Sequence, residues 1–490
     1  MTVASPARSV AMRLLAKQRR RGARARDLLR SAHEMALLGT NGRGLATRLV
    51  LGVNVAAGEL DRRVDAFVTH AGGLEPRVRD ALRLSAFECL YLDTPRQVAV
   101  SQGVELVREV QPRAARMANA VLRRVADARP EVDAARERIR VAAAGDPGSE
   151  SVVPPDLPSV RELCIASGYP EWLVRRLLAD LGPRRAAAMC ASALEAAPVY
   201  VAAGMASDAQ TLEDRLAGLG LEPRPSGLPG SWRLGSPAGL AASGLVGACD
   251  VVTADLAAQV VCRVAAAGSG RVLEVGQGRG TKSLLLVAAA RELGGSFGDI
   301  RVVGCDSVAS KVRLSRQRME AAGLSEAVSC VAFDATRLAE HEGLPEALAG
   351  EFGAVLVDAP CSGTGTMRRH PEIPWALEER SLRPEEEGSL PQLQRSLLGA
   401  AASHVAPGGS LVYATCSVLP AENLDVVRGF LASPAGAGFE LADVCTAPGV
   451  TALPEGARGL VAGCVEGGVF QSYPAPGSFD GHFCARLVRA

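Results

Sequence analysis

Lysine and aromatic residues are scarce in this chain of 490 residues, and neither sign of charge dominates it. Lysine occurs only at Lys17, Lys282 and Lys311, and the aromatic residues make up 4% of the chain. The 54 basic side chains are nearly balanced by 53 acidic ones. Bulk charge therefore cannot attract a partner, and any polyanion must be bound by a local patch.

Long apolar runs and paired cysteines are also lacking. No run reaches the roughly 18 residues that a membrane span needs, and no apolar segment of a signal peptide follows the basic N-terminus. The 12 cysteines are scattered without C-x-x-C spacing and the 6 histidines are dispersed, so we expect neither a disulfide framework nor a metal site. These features predict a soluble, cytoplasmic protein without a membrane partner; a monomer is expected.

The chain has enough apolar residues, 48%, for several cores, and its length predicts two to four domains. Helical spacing of apolar residues predicts an all-α N-terminal domain over 1–143. A stretch rich in Gly, Pro and Ser predicts a linker over 144–159, and mixed patterns predict a small α+β domain over 160–250. Residues 251–490 alternate short apolar runs with helical segments, which predicts an α/β domain with a parallel sheet.

Acidic residues stand near the ends of three consecutive predicted strands. VLEVGQGRG (272–280) contains Glu274 and leads through closely spaced glycines into a helix predicted over Thr281–Ala290. The next two strands end at Asp306 and Asp334. A carboxylate at a sheet edge is costly unless it binds something, so the set suggests a nucleoside ligand. The spacing E-x-G-x-G-x-G resembles that of class I S-adenosylmethionine (SAM) methyltransferases.

Two cysteines follow the ends of two further predicted strands. Cys361 lies in DAPCSG, which begins at Asp358, and Cys416 lies in ATCS. A thiolate can add to carbon 6 of a pyrimidine and so activate carbon 5 for methylation, while an acid such as Asp358 supports charge on the ring. The residues alone do not rank one cysteine above the other as nucleophile.

The motifs DAPCSGTGTMRRHPEIPW (358–375) and LVYATCSVLPAEN (411–423) resemble those of RNA 5-methylcytosine methyltransferases, and most closely the bacterial RsmB (Sun/Fmu) family, which modifies 16S ribosomal RNA. The match spans about 250–490. In the N-terminal half, PRQVAV…GVELV…ANAVLRRV (95–125) resembles the NusB-like RNA-binding domain of that family. The fold class implied is a NusB-like helical domain, a small α+β domain and a Rossmann-like SAM-methyltransferase domain.

The resemblance also implies roles for individual residues. Cys416 would be the nucleophile, Cys361 would assist release of the methylated RNA, and Asp358 would hold the target cytosine beside the cofactor. SAM would be bound by the glycine loop and the acidic strand ends, namely Glu274, Gly276, Gln277, Gly278, Arg279, Gly280, Thr281, Lys282, Asp306, Asp334 and Asp358.

The chain departs from the family pattern at three places outside the cysteine loops. The family's D-x-C-A-A-P-G-G-K is here EVGQGRGTK, which keeps an acid, Gly280 and Lys282. Its V-Q-D is here TAD (253–255), and its R-x-N is replaced at residues 202–204 by Ala-Ala-Gly. These changes affect expected cofactor and RNA contacts.

Basic residues cluster in the first thirty residues and behind the first cysteine loop. Residues 1–30 hold nine basic side chains against the single acid Asp27, which predicts salt-dependent binding to phosphates, although a solvated helix face would show the same pattern. Arg368 and Arg369 are predicted to hold phosphates that flank a cytosine extruded from its stack.

Three alternatives are left open by the sequence. The same chemistry on transfer RNA or another RNA would use the same loops. A non-catalytic RNA-binding protein with a decayed methyltransferase fold would explain only the altered glycine loop. A DNA cytosine methyltransferase would use Cys361, which follows Pro360, for the covalent bond.

Overall fold

A computed structural model of the chain describes residues 4–144, 157–204, 208–295, 299–340 and 343–490. The chain divides into two compact units. The first contains residues 1–196 and 366–379, and the second contains residues 197–365 and 380–490. Most of the predicted linker, residues 145–156, lies outside the described residues.

The first unit is helical, as the apolar spacing predicts. Its α-helices are Pro6–Arg21, Ala25–Ser31, His33–Ala36, Thr40–Asp65, Pro76–Tyr91, Arg96–Val110, Ala115–Ala126, Arg129–Ala143, Val160–Ser167, Glu171–Ser192 and the short helix Ile373–Ala376. The helices Val160–Ser167 and Glu171–Ser192 fall within the predicted middle domain, yet they group here with the N-terminal helices. The predicted boundaries at 143, 160 and 250 remain predictions.

The helix Pro76–Tyr91 shows how the sequence forms this unit. It begins with Pro76 at the first position and with the Glu75 side chain accepting a hydrogen bond from the Val78 amide at 3.0 Å. Its side chains Leu82 and Phe87 are buried. Phe87 fits where Gly52 has no side chain, since an added Cβ there would lie 1.9 Å from the ring. Close packing therefore fixes two helices against each other.

The basic N-terminal segment is helical rather than an extended arm. Residues 6–21 and 25–31 form two helices. Arg8 is buried and its guanidinium pairs with Glu88, while Arg19 pairs with Asp80 at 2.9 Å. Several other basic residues of the segment are exposed, namely Arg13, Arg20, Arg21, Arg24 and Arg30.

The segment 366–379 belongs to the helical unit although it is far away in sequence. The Trp375 indole N–H donates to the Val55 carbonyl at 2.6 Å. The Trp375 ring lies where Gly58 lacks a side chain, because a Cβ there would be 1.9 Å from the ring. The Arg26 guanidinium donates to the Arg369 carbonyl.

The second unit begins with a four-stranded antiparallel sheet in the order β2-β3-β1-β4. Its strands are β1 Val199–Ala203, β2 Pro223–Pro225, β3 Ser231–Leu234 and β4 Val251–Thr253. The helix Ala209–Gly218 contributes Leu212 and Leu216 to a core with Val201 and Trp232. These strands and this helix share one small core, and the predicted α+β domain over 160–250 stays a prediction.

The rest of the unit surrounds a nine-stranded sheet in the order β11-β12-β13-β9-β8-β5-β6-β7, with β10 paired to β13. The strands are β5 Gly270–Val275, β6 Ile300–Asp306, β7 Val328–Ala332, β8 Phe352–Asp358, β9 Val405–Thr415, β10 Phe439–Ala442, β11 Val465–Glu466, β12 Val469–Gln471 and β13 Phe483–Arg489. Strands β5 to β9 pair in parallel, whereas β13 is antiparallel to β9. The predicted parallel sheet is confirmed.

Helices cover both faces of this sheet. They are Leu256–Ala265, Thr281–Glu292, Ala309–Ala321, Leu390–Ala402, Leu424–Leu431, Pro448–Thr451 and Glu455–Ala462. Alternate strand residues point to opposite faces, so Val272 and Leu356 join one core while Leu273 and Val355 join the other. None of the helices in the described ranges is both long and apolar enough to cross a membrane.

The strand order places one crevice at the centre of the sheet. From β5 the chain continues to β6 and β7 on one side and then crosses to β8 on the other. Loops that follow β5 and β8 therefore diverge at the carboxyl edge, where open parallel sheets bind ligands.

We predict that Gly58→Ala destabilises the helical unit. The added methyl group would overlap the Trp375 ring, and such overpacking costs about 1–3 kcal/mol. Gly44→Ala is the control, because Gly44 lies on the same helix with nothing within 4 Å of an added Cβ. Thermal unfolding should show a lower Tm for Gly58→Ala and an unchanged or higher Tm for Gly44→Ala. Equal Tm values would contradict the packing of Trp375.

Candidate active site

The glycine loop that follows β5 lies tightly against the end of β8. Gly276 has a φ of 81°, which favours glycine, and an added Cβ would lie 2.3 Å from the Asp358 carbonyl oxygen. Gly278 and Gly280 also have positive φ values, and the helix Thr281–Glu292 starts directly after Gly280. The loop thus leaves bare backbone beside the amide end of a helix, an arrangement suited to a ligand at the crevice.

The acidic strand ends differ in how they are held. The Asp306 carboxylate is nearly buried and accepts hydrogen bonds from the amides of Gly278 at 3.0 Å and Val308 at 2.8 Å. It therefore ties the end of β6 to the glycine loop. Asp334 is exposed and accepts from the Thr336 amide at 3.1 Å. Two of the predicted acids thus stand at neighbouring strand ends.

Glu274 and Gln277 are buried beneath the loop. The Ser283 hydroxyl donates to Glu274, and the Gln277 amide nitrogen lies 3.0 Å from the Ser283 hydroxyl and 3.4 Å from the Cys330 sulfur. Among the described residues, Glu274 Oε1 and Gln277 Oε1 have no hydrogen-bond partner. Burial raises the pKa of Glu274 to about 8. Both side chains support the loop from inside the protein.

Lys282 and Asp358 form an ion pair that joins the glycine loop's helix to the end of β8. The Lys282 ammonium lies 2.6 Å from Asp358 Oδ2, and neither side chain is exposed by more than 28%. Burial is the largest single influence and lowers the pKa of Lys282, but the neighbouring acidic groups, foremost the Asp358 carboxylate, together outweigh it and raise the pKa. Lys282 therefore carries a fixed positive charge at this edge of the sheet.

The two predicted catalytic cysteines are in contact. Cys361 Sγ lies 3.3 Å from Cys416 Sγ, and both residues are partly exposed. The hydrogen bond from Cys361 lowers the pKa of Cys416, and the same bond raises the pKa of Cys361. Among the nearby charges, Asp358 opposes a thiolate on Cys416 and Lys282 favours one. Either sulfur can be the donor in this contact, so the distance itself does not rank the two thiols, and Cys416 as nucleophile stays a prediction.

A buried carboxylate that the sequence left without a role stands behind these loops. Glu422 is fully buried and accepts hydrogen bonds from the Ser362 amide at 2.8 Å and the Ser417 hydroxyl at 2.6 Å. The sequence feature that could have indicated this residue is PAEN (420–423), in which the polar Glu422 and Asn423 stand a few residues after ATCS.

The remaining predicted site residues lie partly at the glycine loop and partly in the helical unit. Arg279 is exposed on the glycine loop, and Thr281 accepts a hydrogen bond from Arg318 at 2.8 Å. Arg368 is 5% exposed and Arg369 is half-buried, and both belong to the helical unit. Within the described ranges, no group of three or more His, Cys, Asp or Glu residues has an arrangement that could hold a metal ion.

Family models match both parts of the chain. The model described as 16S rRNA methyltransferase RsmB/F matches residues 297–488, and the NusB family model matches residues 5–127. Ribosomal RNA small subunit methyltransferase B of Xylella fastidiosa (strain Temecula1 / ATCC 700964) is 34% identical over 335 residues, which cover 66% of this chain and 67% of the relative.

Other relatives align over a shorter stretch. The protein of the same name from Enterobacter sp. (strain 638) is 45% identical over 104 residues, 21% of this chain and 23% of the relative. The chain therefore spans about a quarter of the length of this relative in the alignment.

Solved structures share the fold. The crystal structure of PH0851 superposes with a TM-score of 0.70 at 19% identity and covers 99% of this chain and 100% of that chain. A methyltransferase homolog protein from Pyrococcus horikoshii has a TM-score of 0.52 at 19% identity, covering 68% of this chain and 99% of that chain. Together with the family models, these likenesses confirm the expected NusB-like and methyltransferase folds.

We predict that Glu274→Gln stabilises the protein at neutral pH relative to the wild type. Because its pKa rises from 4.5 in the unfolded chain to about 8, the protonated acid stabilises the fold fully below about pH 4.5, and this contribution is lost as pH rises to about 8. The amide stays neutral, so the stability difference should grow by up to about 1.4 kcal/mol per pH unit in that window.

Urea unfolding between pH 4.5 and 9 measures this difference, with the exposed Glu326→Gln as control for a general effect of an amide. A difference that does not change with pH would show that Glu274 is not held as a neutral acid.

Proposed function

Because the chain belongs to the family of ribosomal RNA small subunit methyltransferase B, we propose that it methylates carbon 5 of a cytosine in 16S ribosomal RNA with SAM as methyl donor. The observation that carries the proposal is the contact of two thiols at adjacent strand ends, beside the Lys282–Asp358 pair. A single buried cysteine is a small filler, whereas two thiols at a ligand-binding edge fit covalent chemistry on a pyrimidine.

Cys416 is the nucleophile in this proposal. Its thiolate adds to carbon 6 of the cytosine, and the electron pair of the double bond moves to carbon 5. Carbon 5 then attacks the methyl carbon, whose bond to the sulfonium sulfur breaks. The lowered pKa of Cys416, caused by the hydrogen bond from Cys361, supplies the thiolate that addition needs.

Cys361 and Asp358 complete the reaction. After methylation, carbon 5 loses its proton and the bond from carbon 6 to Cys416 breaks, which restores the aromatic ring. Cys361 Sγ is 3.3 Å from the departing sulfur, so the Cys361 thiol can donate its proton to the Cys416 thiolate that leaves, and the Cys361 thiolate so formed takes up the proton that carbon 5 loses. Asp358 is the last residue of β8, the strand that leads into the Cys361 loop, and it can hold the exocyclic amine or ring nitrogen of the cytosine.

The residues at the carboxyl edge fit SAM, which supplies an electrophilic methyl group when bound. Gly276 lets the loop approach the Asp358 carbonyl closely, and Asp306, which accepts from the Gly278 amide, would also accept from ribose hydroxyl groups. Asp334 and the loop residues Gly278, Arg279, Gly280 and Thr281 belong to the predicted set, as do Glu274 and Gln277, which are buried beneath the loop. Lys282 holds Asp358 next to the loop.

Binding of the RNA is assigned to basic residues of the NusB-like unit. The exposed arginines Arg13, Arg20, Arg21, Arg24 and Arg30 would neutralise phosphates and give salt-dependent affinity. Arg369 is half-buried and remains a candidate for phosphates that flank the target base, whereas the buried Arg368 would have to turn outward to contact RNA.

Substitution of each cysteine tests the proposed roles. We expect Cys416→Ala to abolish methyl transfer from labelled SAM to 16S ribosomal RNA, because no thiolate can then activate carbon 5. Cys361→Ala should accumulate a covalent protein–RNA adduct that persists in denaturing gels, since elimination is impaired. Cys89→Ala, which changes a buried cysteine of the helical unit, is the control.

Each other outcome has a definite meaning. If Cys416→Ala forms the covalent protein–RNA adduct and Cys361→Ala does not, Cys361 is the nucleophile, as in DNA cytosine methyltransferases, and Cys416 assists release. Methylation of transfer RNA but not 16S RNA would move the substrate to another RNA. A wild-type protein that binds RNA without binding SAM or transferring a methyl group would be a non-catalytic RNA-binding protein.

We predict that Gly276→Ala prevents SAM binding. The added Cβ would lie 2.3 Å from the Asp358 carbonyl, so the loop must move away from the crevice. Gly294→Ala is a matched control, because Gly294 also has a positive φ but nothing within 4 Å of its Cβ position. Calorimetric titration with S-adenosylhomocysteine should detect binding to the control and none to Gly276→Ala. Equal affinities would contradict the assignment of the loop.

A further inference from the structure

Glu422 is a fully buried carboxylate that contacts both cysteine loops without touching either sulfur. It accepts hydrogen bonds from the Ser362 amide at 2.8 Å and from the Ser362 hydroxyl at 2.5 Å. Its Oε2 also accepts from the Ser417 hydroxyl at 2.6 Å. Ser362 directly follows Cys361 and Ser417 directly follows Cys416, so one carboxylate holds the residue next to each thiol.

Other side chains hold Glu422 itself in place. The Gln394 amide nitrogen donates to Glu422 Oε1 at 3.0 Å and to the Pro360 carbonyl at 2.9 Å. The Tyr413 hydroxyl donates to the Glu422 carbonyl at 2.6 Å. All of these partners are neutral, so this carboxylate is stabilised by several converging donors rather than by an ion pair.

The next residue extends the same network along the Cys416 loop. Asn423 accepts from the Thr415 hydroxyl at 2.6 Å and donates to the Ser417 carbonyl at 2.9 Å. Thr364 connects the two loops a second time, because its hydroxyl lies 3.1 Å from the Ser417 hydroxyl. Both loops are thus fixed by buried polar groups and not by apolar packing alone.

We propose that Glu422 is a positioning residue that keeps the Cys361 and Cys416 loops in register, so that the two thiols stay in contact. This inference rests on the proposed function for its catalytic meaning. Glu422 does not activate either thiol, because its negative charge opposes a second negative charge on the sulfurs nearby. Its contribution is geometric: the two sulfurs and the target base must be placed together within a fraction of an ångström.

Glu422→Gln tests the proposal, because the amide keeps the size of the side chain but replaces one acceptor oxygen by a donor. We expect single-turnover methyl transfer at saturating SAM and RNA to slow by about 10–100-fold, while the affinity for S-adenosylhomocysteine stays within roughly threefold. Glu422→Asp retains the charge but is shorter, and should not restore the rate.

A second measurement does not depend on methyl transfer. Diamide accepts two electrons and two protons from a pair of adjacent thiols and leaves a disulfide. Peptide mass spectrometry should find a rapid Cys361–Cys416 cross-link in the wild type and a roughly tenfold slower one in Glu422→Gln. Val426→Ala, a buried apolar truncation on the following helix, controls for loss of stability and should leave the cross-linking rate unchanged.

The two readouts separate the possible failures. If Glu422→Gln cross-links and transfers methyl groups like the wild type, the positioning role is overturned. If the wild type cross-links but transfers no methyl group, the proposed function fails, and the cross-linking ratio still decides the role of Glu422. If Glu422→Gln does not fold, Gln394→Leu replaces it, with an expected three- to tenfold slowing of cross-linking, and an unchanged rate then refutes the proposal.

Discussion

The parallel pairing of β8 with β9 is the constraint on which the site depends. In this register Asp358 stands opposite Ala414, so both strands end at the same height. Cys361 and Cys416 follow these positions by three and two residues, respectively. Because parallel strands release their loops at one edge, two distant cysteines come into contact without any close spacing in sequence. A shift of this register would separate the two cysteines, whereas the Lys282–Asp358 pair depends on the parallel pairing of β5 with β8.

Charge balance at this edge explains why the two thiols cannot act alike. The positive charge of Lys282 is paired with the Asp358 carboxylate, and Glu422 adds a further carboxylate behind the loops. A thiolate on one cysteine is stabilised by the hydrogen bond from the other, and a second thiolate would meet both negative charges. Ionisation of one thiol therefore opposes ionisation of the other, and a nucleophile with a neutral partner is what the proposed addition and elimination require.

The strands and their acidic ends could be predicted from the sequence, because short apolar runs and glycine turns are local signals. The ion pair of Lys282 with Asp358 and the contacts of both cysteine loops with Glu422 could not be predicted, because they depend on the order of the strands. Glu422 lies in the same motif as Cys416, but a single acidic residue shows no pattern in the sequence that would indicate its burial. The sequence also could not show which basic residues of the N-terminus are available to bind phosphates. Arg8 forms a buried ion pair with Glu88, a residue 80 positions away that only the fold brings next to it.

The chain path gives the helical unit a role beyond a separate module. Residues 366–379 follow the Cys361 loop directly, yet they pack among the N-terminal helices, with Trp375 over Gly58 and with Arg26 bound to the Arg369 carbonyl. A truncation that removes residues 1–196 would therefore leave this segment without its packing partners and expose more of the Trp375 ring, which is 41% exposed in the whole chain. The segment begins directly after Gly365, whose amide donates to the Cys416 carbonyl at 2.9 Å. The helical unit therefore includes a stretch of chain from the second half of the sequence and is not formed by the N-terminal residues alone.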